Sequence, residues 1–177
     1  MASLFRPANE LMVQYARYHR DRRNITTHML GVPMIVLGVG VLLARLPLSG
    51  AFTLATAAWA LTTLWYLTRG HLLLGLAVSL LNGVLIALAH PLAGGSTAHW
   101  LGWGVGLFVV GWIIQFVGHY YEGRKPAFAD DVTGLLTGPM FVAAEALFAL
   151  GLARPLLDEI ERRAGPTHLR DLAHPVA

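Results

Sequence analysis

The chain has 177 residues, of which 55% are hydrophobic and 13% charged, and its formal net charge is +3. This balance is not typical of a soluble domain and indicates that the lipid bilayer is the solvent. The basic residues flank apolar stretches and form no stripe with aromatic residues, so we expect anionic lipid headgroups, not nucleic acid, as partners. The absence of cysteine excludes disulfides, thiolate metal sites and cysteine catalysis.

The segment before Met29 is polar and contains five arginines. It is too long for the n-region of a signal peptide, and no small-residue cleavage site follows the first apolar run. We therefore expect that run to remain in the mature protein as an anchor.

Five long apolar stretches follow, each near the roughly 20 residues that cross a bilayer. They cover residues 29–44, 51–68, 72–89, 100–117 and 134–153. Their apolar character is continuous and lacks the alternation of barrel strands, so helices are predicted. The connections are short and no repeat is visible, which indicates one helical membrane domain.

The positions of the 13 Lys and Arg residues predict the orientation of these helices. We assume that the N-terminus is cytoplasmic, that the first four stretches cross the membrane, and that the fifth dips in and returns to the same side. Twelve basic residues then lie inside and only Arg45 outside. Gly134, Gly138, Pro139 and the acidic Glu145 favour this interruption of the fifth stretch. A full fifth crossing would instead place four arginines outside.

The fold prediction is therefore an all-α integral membrane helical bundle with four spans plus a broken or re-entrant fifth helix. Residues 1–28 form a cytoplasmic N-terminal helix and motif, residues 29–153 the membrane bundle, and residues 154–177 a polar C-terminal tail. The cytoplasmic face would be that of the inner membrane in a bacterium or of the endoplasmic reticulum in a eukaryote.

The first polar motif, YHRDRRNITTHMLGVP, contains His19, Asn24 and His28 where the chain enters the first apolar stretch. On one continuous helix the nine-residue separation of the histidines corresponds to about 900 degrees, which places them on opposite faces. A helix break in the run DRRN, with Asn24 as the N-cap of the next helix and Thr27 in its first turn, would let the imidazoles converge. The alternative is two ordinary interfacial histidines among arginines.

The second polar motif, QFVGHYYEGRKPAFADD, ends the fourth apolar stretch. Gln115, His119 and Glu122 have the i, i+4, i+7 spacing of one helical stripe, so the imidazole and the carboxylate are well placed to bind one cation. The alternative is a polar helix end in which Glu122 pairs with Arg124 or Lys125.

The topology, which rests on Lys and Arg alone, brings both motifs to one face. We therefore predict a metal site whose ligands and catalytic residues are His19, His28, His119 and Glu122. Imidazoles and a carboxylate with open positions form the ligand set of non-haem Fe(II) oxygenases, and the same set also suits zinc. Asn24, Gln115, Asp130 and Glu145 are predicted to support these ligands, and Arg124 and Lys125 to bind the carboxylate of a substrate.

Glu145 is predicted as the most buried charge, either as a ligand or partner of the site or hydrogen-bonded to nearby backbone. His71 lies on the same face but has no supporting spacing. The other histidines, on the opposite face or in the polar tail, are left out of the site: His90, His99, His168 and His174.

With these motifs, the sequence resembles the small membrane family of 2-hydroxy fatty acid dioxygenases of fungal α-oxidation, which has bacterial members. The resemblance rests on YHRDRRNITTHMLGVP and GWIIQFVGHYYEGRKPAFADD, followed by GPMFVAAEALFALG, and extends over residues 15–151. The central stretches match only in apolar character. Tyr121 departs from the pattern, in which Phe is expected before the Glu.

The resemblance implies an Fe(II)-dependent enzyme that uses dioxygen to shorten a 2-hydroxy fatty acid by one carbon. The carboxylate and 2-hydroxyl of the substrate would chelate the metal, with the acyl tail among the spans and a remaining position for oxygen. The endoplasmic reticulum address of the fungal members does not transfer to this sequence.

Other classes of membrane protein fit this sequence less well. A small transporter would need polar residues in mid-span, where only Asn82 and Glu145 stand out. A haem carrier needs histidines inside facing spans, and desaturases with two irons carry several HxxH or HxxHH clusters, which are absent here. A small transporter and a metal-binding structural membrane protein without catalysis remain the alternatives.

Overall fold

The computed structural model describes residues 3–173, and His174 lies outside them. Seven α-helices run through these residues, which confirms the all-α prediction. A small antiparallel hairpin, β1 (Pro47–Ser49) and β2 (Phe52–Thr53), joins the second and third helices. The helices are α1 (Ala8–Ala16), α2 (Arg22–Ala44), α3 (Leu54–Leu67), α4 (Leu72–Leu92), α5 (Thr97–Glu122), α6 (Gly134–Ala149) and α7 (Arg154–Ala164).

Three helices, α2, α4 and α5, are long and apolar enough to cross a membrane. The apolar helix α3 has only 14 residues, and α6 and α7 pass the same test only as a pair that is bent by 115°. Residues 3–173 therefore contain three candidate spans, or four if the bent pair is one span.

The interruption of the fifth apolar stretch lies later than the sequence predicts. The helix α6 is continuous through Gly138 and Pro139, and the chain bends after Ala149. Gly151 and Ala153 have φ angles of 76° and 51°. This left-handed backbone conformation ends a helix, which explains the position of the bend.

Close packing of α2 against α5 organises the bundle. A Cβ atom on Gly31 would lie 2.8 Å from the carbonyl oxygen of Gly111, and one on Gly38 would lie 2.8 Å from an oxygen of α5. Small residues at a helix interface let two backbones approach closely. The contact places the beginning of α2, with His28, beside the end of α5, with His119.

The helix α1 is buried between α6 and α7 in the main hydrophobic core. Met12 of α1 and Phe141 of α6 are fully buried there, and Ile160 of α7 is 1% exposed. Arg163 of α7 forms an ion pair with Glu10 of α1 at 2.8 Å. These contacts fix the position of α1, and with it the start of the loop that leads to α2.

Residues 165–171, here called the C-terminal strap, run beside that loop. Asp21 and His168 form a parallel β-bridge, and the Asp21 carboxylate accepts a hydrogen bond from the Arg170 N–H at 2.8 Å. The Arg23 guanidinium in turn donates to the Arg170 carbonyl oxygen at 2.8 Å. The strap therefore fastens the α1–α2 loop from outside the helical bundle.

Candidate metal centre

The loop between α1 and α2 contains the helix break that the first motif predicts. The N-cap of α2, however, is Asp21 and not Asn24. The backbone of Asp21 is extended and its carboxylate accepts a hydrogen bond from the Arg23 N–H at 2.8 Å, whereas Asn24 already lies in the first turn. Burial acts to raise the pKa of Asp21, but hydrogen bonds from Arg23 and Arg170 hold this pKa at about 2.

Three predicted ligands, His19, His28 and His119, converge in the structure. One potential ligand atom of each lies within 4.8 Å of the others, so the group could hold a metal ion. The ring centroids of His19 and His28 are 4.3 Å apart, and that of His119 lies 5.0 Å and 5.1 Å from them. The three side chains are at most 7% exposed.

Hydrogen bonds to the main chain orient two of these imidazoles. His19 Nδ1 lies 2.7 Å from the Tyr15 carbonyl oxygen, and His28 Nδ1 lies 2.9 Å from the Asn24 carbonyl oxygen. Because a carbonyl only accepts, each Nδ1 carries the proton and each Nε2 presents a lone pair. A main-chain carbonyl on the far nitrogen is the usual support of a metal-binding histidine.

The two Nε2 atoms of His19 and His28 lie 3.0 Å apart. Two lone pairs at this distance repel unless a cation or a proton lies between them. Nitrogens that bind one ion at about 2.1 Å on adjacent positions are about 3 Å apart. In addition, His119 Nδ1 is buried without a hydrogen-bond partner among the described residues. The donor set therefore fits a divalent transition metal.

Aromatic rings enclose His19. The Tyr15 ring stacks on its imidazole at 4.1 Å with an interplanar angle of 6°, and the Phe141 ring lies at 5.3 Å. Burial and then the neighbouring His28 lower the pKa of His19 well below its usual range. The imidazole is thus neutral at physiological pH, which is the form that binds a metal.

Glu122 is buried but is not part of the three-histidine group. Its carboxylate accepts hydrogen bonds from the main-chain N–H groups of Arg20 at 2.9 Å and Asp21 at 2.8 Å, and from Asn24 Nδ2 at 3.0 Å. It pairs with neither of the two cations that follow it in the chain. The carboxylate therefore ties the loop that carries His19 to the end of α5.

Among the predicted supporting residues, Asn24 and Gln115 lie near the histidines. Asn24 contributes the carbonyl that binds His28, and Gln115 lines a cavity together with His28 and His119. The Gln115 side chain is 3% exposed, and its Nε2 has no hydrogen-bond partner among the described residues.

The remaining predicted residues lie outside the three-histidine group. The Lys125 ammonium pairs with Asp130 at 2.6 Å, and Arg124 donates to a carbonyl oxygen of the α1–α2 loop. Neither cation lines the cavity beside the histidines. Glu145 is half-buried, so the expectation that it is the most buried charge is wrong: Asp21 and Glu122 are more buried, because the loop packs against the helix end.

His71 is the N-cap of α4, where its ring accepts a hydrogen bond from the Leu74 N–H. It does not belong to the three-histidine group. Three further residues at the site, Tyr15, Asp21 and Phe141, have no role predicted from the sequence. Tyr15 and Asp21 gave local signals: Tyr15 precedes His19 by one helical turn, the spacing at which side chains stack, and Asp is as good an N-cap as Asn.

The fold and the site define a helical, membrane-type protein with a buried three-histidine cluster at one end of its bundle. Residues 5–150 match the model of the family described as 2-hydroxy-palmitic acid dioxygenase Mpo1-like. The chain is also 33% identical over 150 residues to the 2-hydroxy-palmitic acid dioxygenase MPO1 of Saccharomyces cerevisiae, which covers 83% of each chain. No solved structure matches. The chain belongs to the Mpo1-like family.

Proposed function

We propose that this protein is an Fe(II)-dependent dioxygenase that converts 2-hydroxy fatty acids to the acid one carbon shorter. The observation that carries the proposal is the convergence of three buried imidazoles, two of them oriented by main-chain carbonyls, in a member of this family. The relative from yeast is named for dioxygenase action on 2-hydroxy-palmitic acid.

His19, His28 and His119 would hold the metal. Bound Fe(II) would supply the activation of dioxygen for oxidative cleavage between C1 and C2 of the substrate. Three protein ligands leave positions for a substrate that chelates through its carboxylate and 2-hydroxyl. Iron is preferred to zinc because Zn²⁺ has no redox chemistry with which to activate dioxygen.

The neighbouring polar residues have separate roles in this proposal. Gln115 would donate a hydrogen bond from its unpartnered Nε2 to a substrate oxygen. Glu122 would hold the loop that carries His19, with direct ligation as the alternative. Arg124 and Lys125, exposed after the end of α5, would attract the carboxylate to the polar face.

The proposed membrane arrangement is four crossings by α2 to α5, with α6 and α7 forming a re-entrant element of the same domain. The contacts of the C-terminal part support this arrangement. Arg163 pairs with Glu10 and the Arg20 guanidinium donates to the Gly165 carbonyl oxygen, so the chain after α6 returns to the face with the histidines. The distribution of basic residues makes that face cytoplasmic.

The direct test is to purify the protein anaerobically under reducing conditions and measure its bound metal. 2-Hydroxypalmitic acid and oxygen are then added, and the product is identified by mass spectrometry. The proposal predicts one iron per chain and formation of pentadecanoic acid. A chelator should remove both the iron and the activity, and added Fe(II) but not Zn²⁺ should restore the activity. Turnover by the metal-free protein, or a folded protein that binds no iron, would contradict it.

A further inference from the structure

Two adjoining cavities extend from the histidines into the apolar part of the bundle. The first, of about 70 Å³, includes His28, Gln115 and His119 in its lining. The second, of about 360 Å³, lies among α2, α3, α4, α5 and α6. Five residues line both cavities: Ile35, Val36, Trp112, Leu135 and Pro139. The two cavities therefore lie side by side and share part of their walls.

The lining of the second cavity is suited to hydrocarbon. Its polar members are Thr62, Tyr66 and Asn82. The hydroxyl of Thr62 donates to the Ala58 carbonyl oxygen and that of Tyr66 to the Leu136 carbonyl oxygen, so neither needs a polar occupant. Asn82 Oδ1 is the exception, since it is buried without a partner among the described residues.

The length of the two cavities fits a long acyl tail. Along α2 their lining extends from His28 to Leu43. At about 1.5 Å per residue this distance is about 22 Å. One leaflet of a bilayer contributes about 15 Å of hydrocarbon thickness, half of the roughly 30 Å core. The cavities are thus longer than the acyl layer of one leaflet.

We propose that the second cavity binds the distal part of the substrate's acyl tail, so that the residues of its lining determine how acyl length affects turnover. This inference rests on the proposed function, because it takes the three-histidine centre as the site of the carboxyl end. The second cavity shares five lining residues with the cavity that holds His28, Gln115 and His119, and this adjacency is the reason for assigning the tail of the substrate to it and not the tail of a bulk lipid.

The first test fills the second cavity with an indole ring. Ala58→Trp from α3 and Val39→Trp from α2 both place a bulky side chain in its lining. Leu61→Trp is the matched control, because Leu61 is on α3 but 70% exposed on the outer surface. Two cavity variants on different helices are used, so that the test is still possible if one of them misfolds. The metal bound by each variant shows whether its metal site is intact.

The cavity variants should lose about tenfold or more in kcat/KM with 2-hydroxypalmitic acid, while kcat/KM with 2-hydroxydecanoic acid changes less than about twofold. Leu61→Trp should change neither value by more than about twofold. An equal loss for both acids, or no loss in either cavity variant, would overturn the proposal, and the latter would indicate that the cavity holds bulk lipid.

The second test requires no turnover. Palmitic acid with a diazirine at its methyl end is bound to the wild-type protein, irradiated, and its attachment sites are mapped by mass spectrometry. The proposal predicts labelling of cavity residues such as Ala58 and Ile86 that excess 2-hydroxypalmitic acid suppresses. Labelling confined to outward residues such as Leu61 and Leu80 would overturn it. Cavity labelling in a protein that does not shorten the acid would keep this inference and refute the reaction.

Discussion

Both ends of the bundle carry a histidine whose Nδ1 lies near a main-chain carbonyl oxygen one helical turn earlier, but the groups near its Nε2 differ between the two ends. At one end His28 Nδ1 lies 2.9 Å from the carbonyl oxygen four residues earlier, and at the other His90 Nδ1 lies 2.8 Å from the equivalent carbonyl. His28 Nε2 faces another imidazole nitrogen at 3.0 Å, whereas His90 Nε2 faces the Thr53 hydroxyl at 3.3 Å. His99 is exposed.

The difference shows that helix position and an oriented ring do not make a metal ligand. His90 satisfies both of its nitrogens with one carbonyl and one hydroxyl, which is a complete structural role. At the opposite end the α1–α2 loop and α5 bring three imidazoles together and leave lone pairs without hydrogen-bond donors. The arrangement of the neighbouring chain segments therefore distinguishes the two ends.

The largest expected effect is the loss of iron and activity when a clustered histidine is removed. His119→Ala should retain no stoichiometric iron and should lower turnover to the background of the assay, because only two imidazoles then remain. Iron analysis and product formation from 2-hydroxypalmitic acid measure both effects. His99→Ala is the control from the other end of the bundle and should keep both. If His119→Ala stays folded and retains iron and turnover, His119 is not a ligand.

Substitutions of Glu122 distinguish a role in supporting the α1–α2 loop from a role as a metal ligand. Glu122→Ala leaves two buried main-chain N–H groups and Asn24 Nδ2 without their acceptor, so we expect a loss of about 2–4 kcal/mol in the free energy of unfolding. Denaturant unfolding of the detergent-solubilised, metal-free protein measures this loss.

Glu122→Gln keeps one acceptor oxygen and gives the companion variant. It should be destabilised less than Glu122→Ala and should still bind one iron per chain when folded. Loss of iron from folded Glu122→Gln without a loss of stability would instead make the carboxylate a direct ligand.

A smaller effect is expected from the glycines that let α5 approach α2 beside the site. A Cβ on Gly118 would collide with the Thr27 hydroxyl, so Gly118→Ala should cost about 1–3 kcal/mol in the free energy of unfolding. A Cβ on Gly106 of the same helix meets nothing within 4 Å, so Gly106→Ala should be neutral or stabilise by up to about 1 kcal/mol. Equal thermal unfolding of both variants would contradict the packing argument.

The helical class and the helix break between His19 and His28 were predictable, because continuous apolar stretches and the DRRN run are local signals. The sequence predicts the N-cap three residues too late, at Asn24 instead of Asp21, since Asp and Asn are equally good caps and only the backbone conformation distinguishes them. The membrane path of α6 and α7 was not predictable in detail. Its bend depends on left-handed backbone at Gly151 and Ala153, and a left-handed alanine has no sequence signature.

Convergence of the three histidines was predictable from charge topology and helical spacing. The hydrogen bonding of Glu122 was not, because its partners Arg20 and Asp21 are about a hundred residues away in the chain. The same limit applies to Phe141, which reaches His19 only through the packing of α6 against α1. Local patterns thus identified candidate ligands, and only tertiary contacts identified what holds them.

The C-terminal strap has a practical consequence for shortening this protein. The family match ends at residue 150, whereas the strap that binds Asp21 comprises residues 165–171. A chain trimmed to the family boundary would keep His19, His28 and His119 but lose the segment fastened to the His19 loop. Expression of such a minimal fragment would thus be a poor basis for judging whether the histidines bind iron.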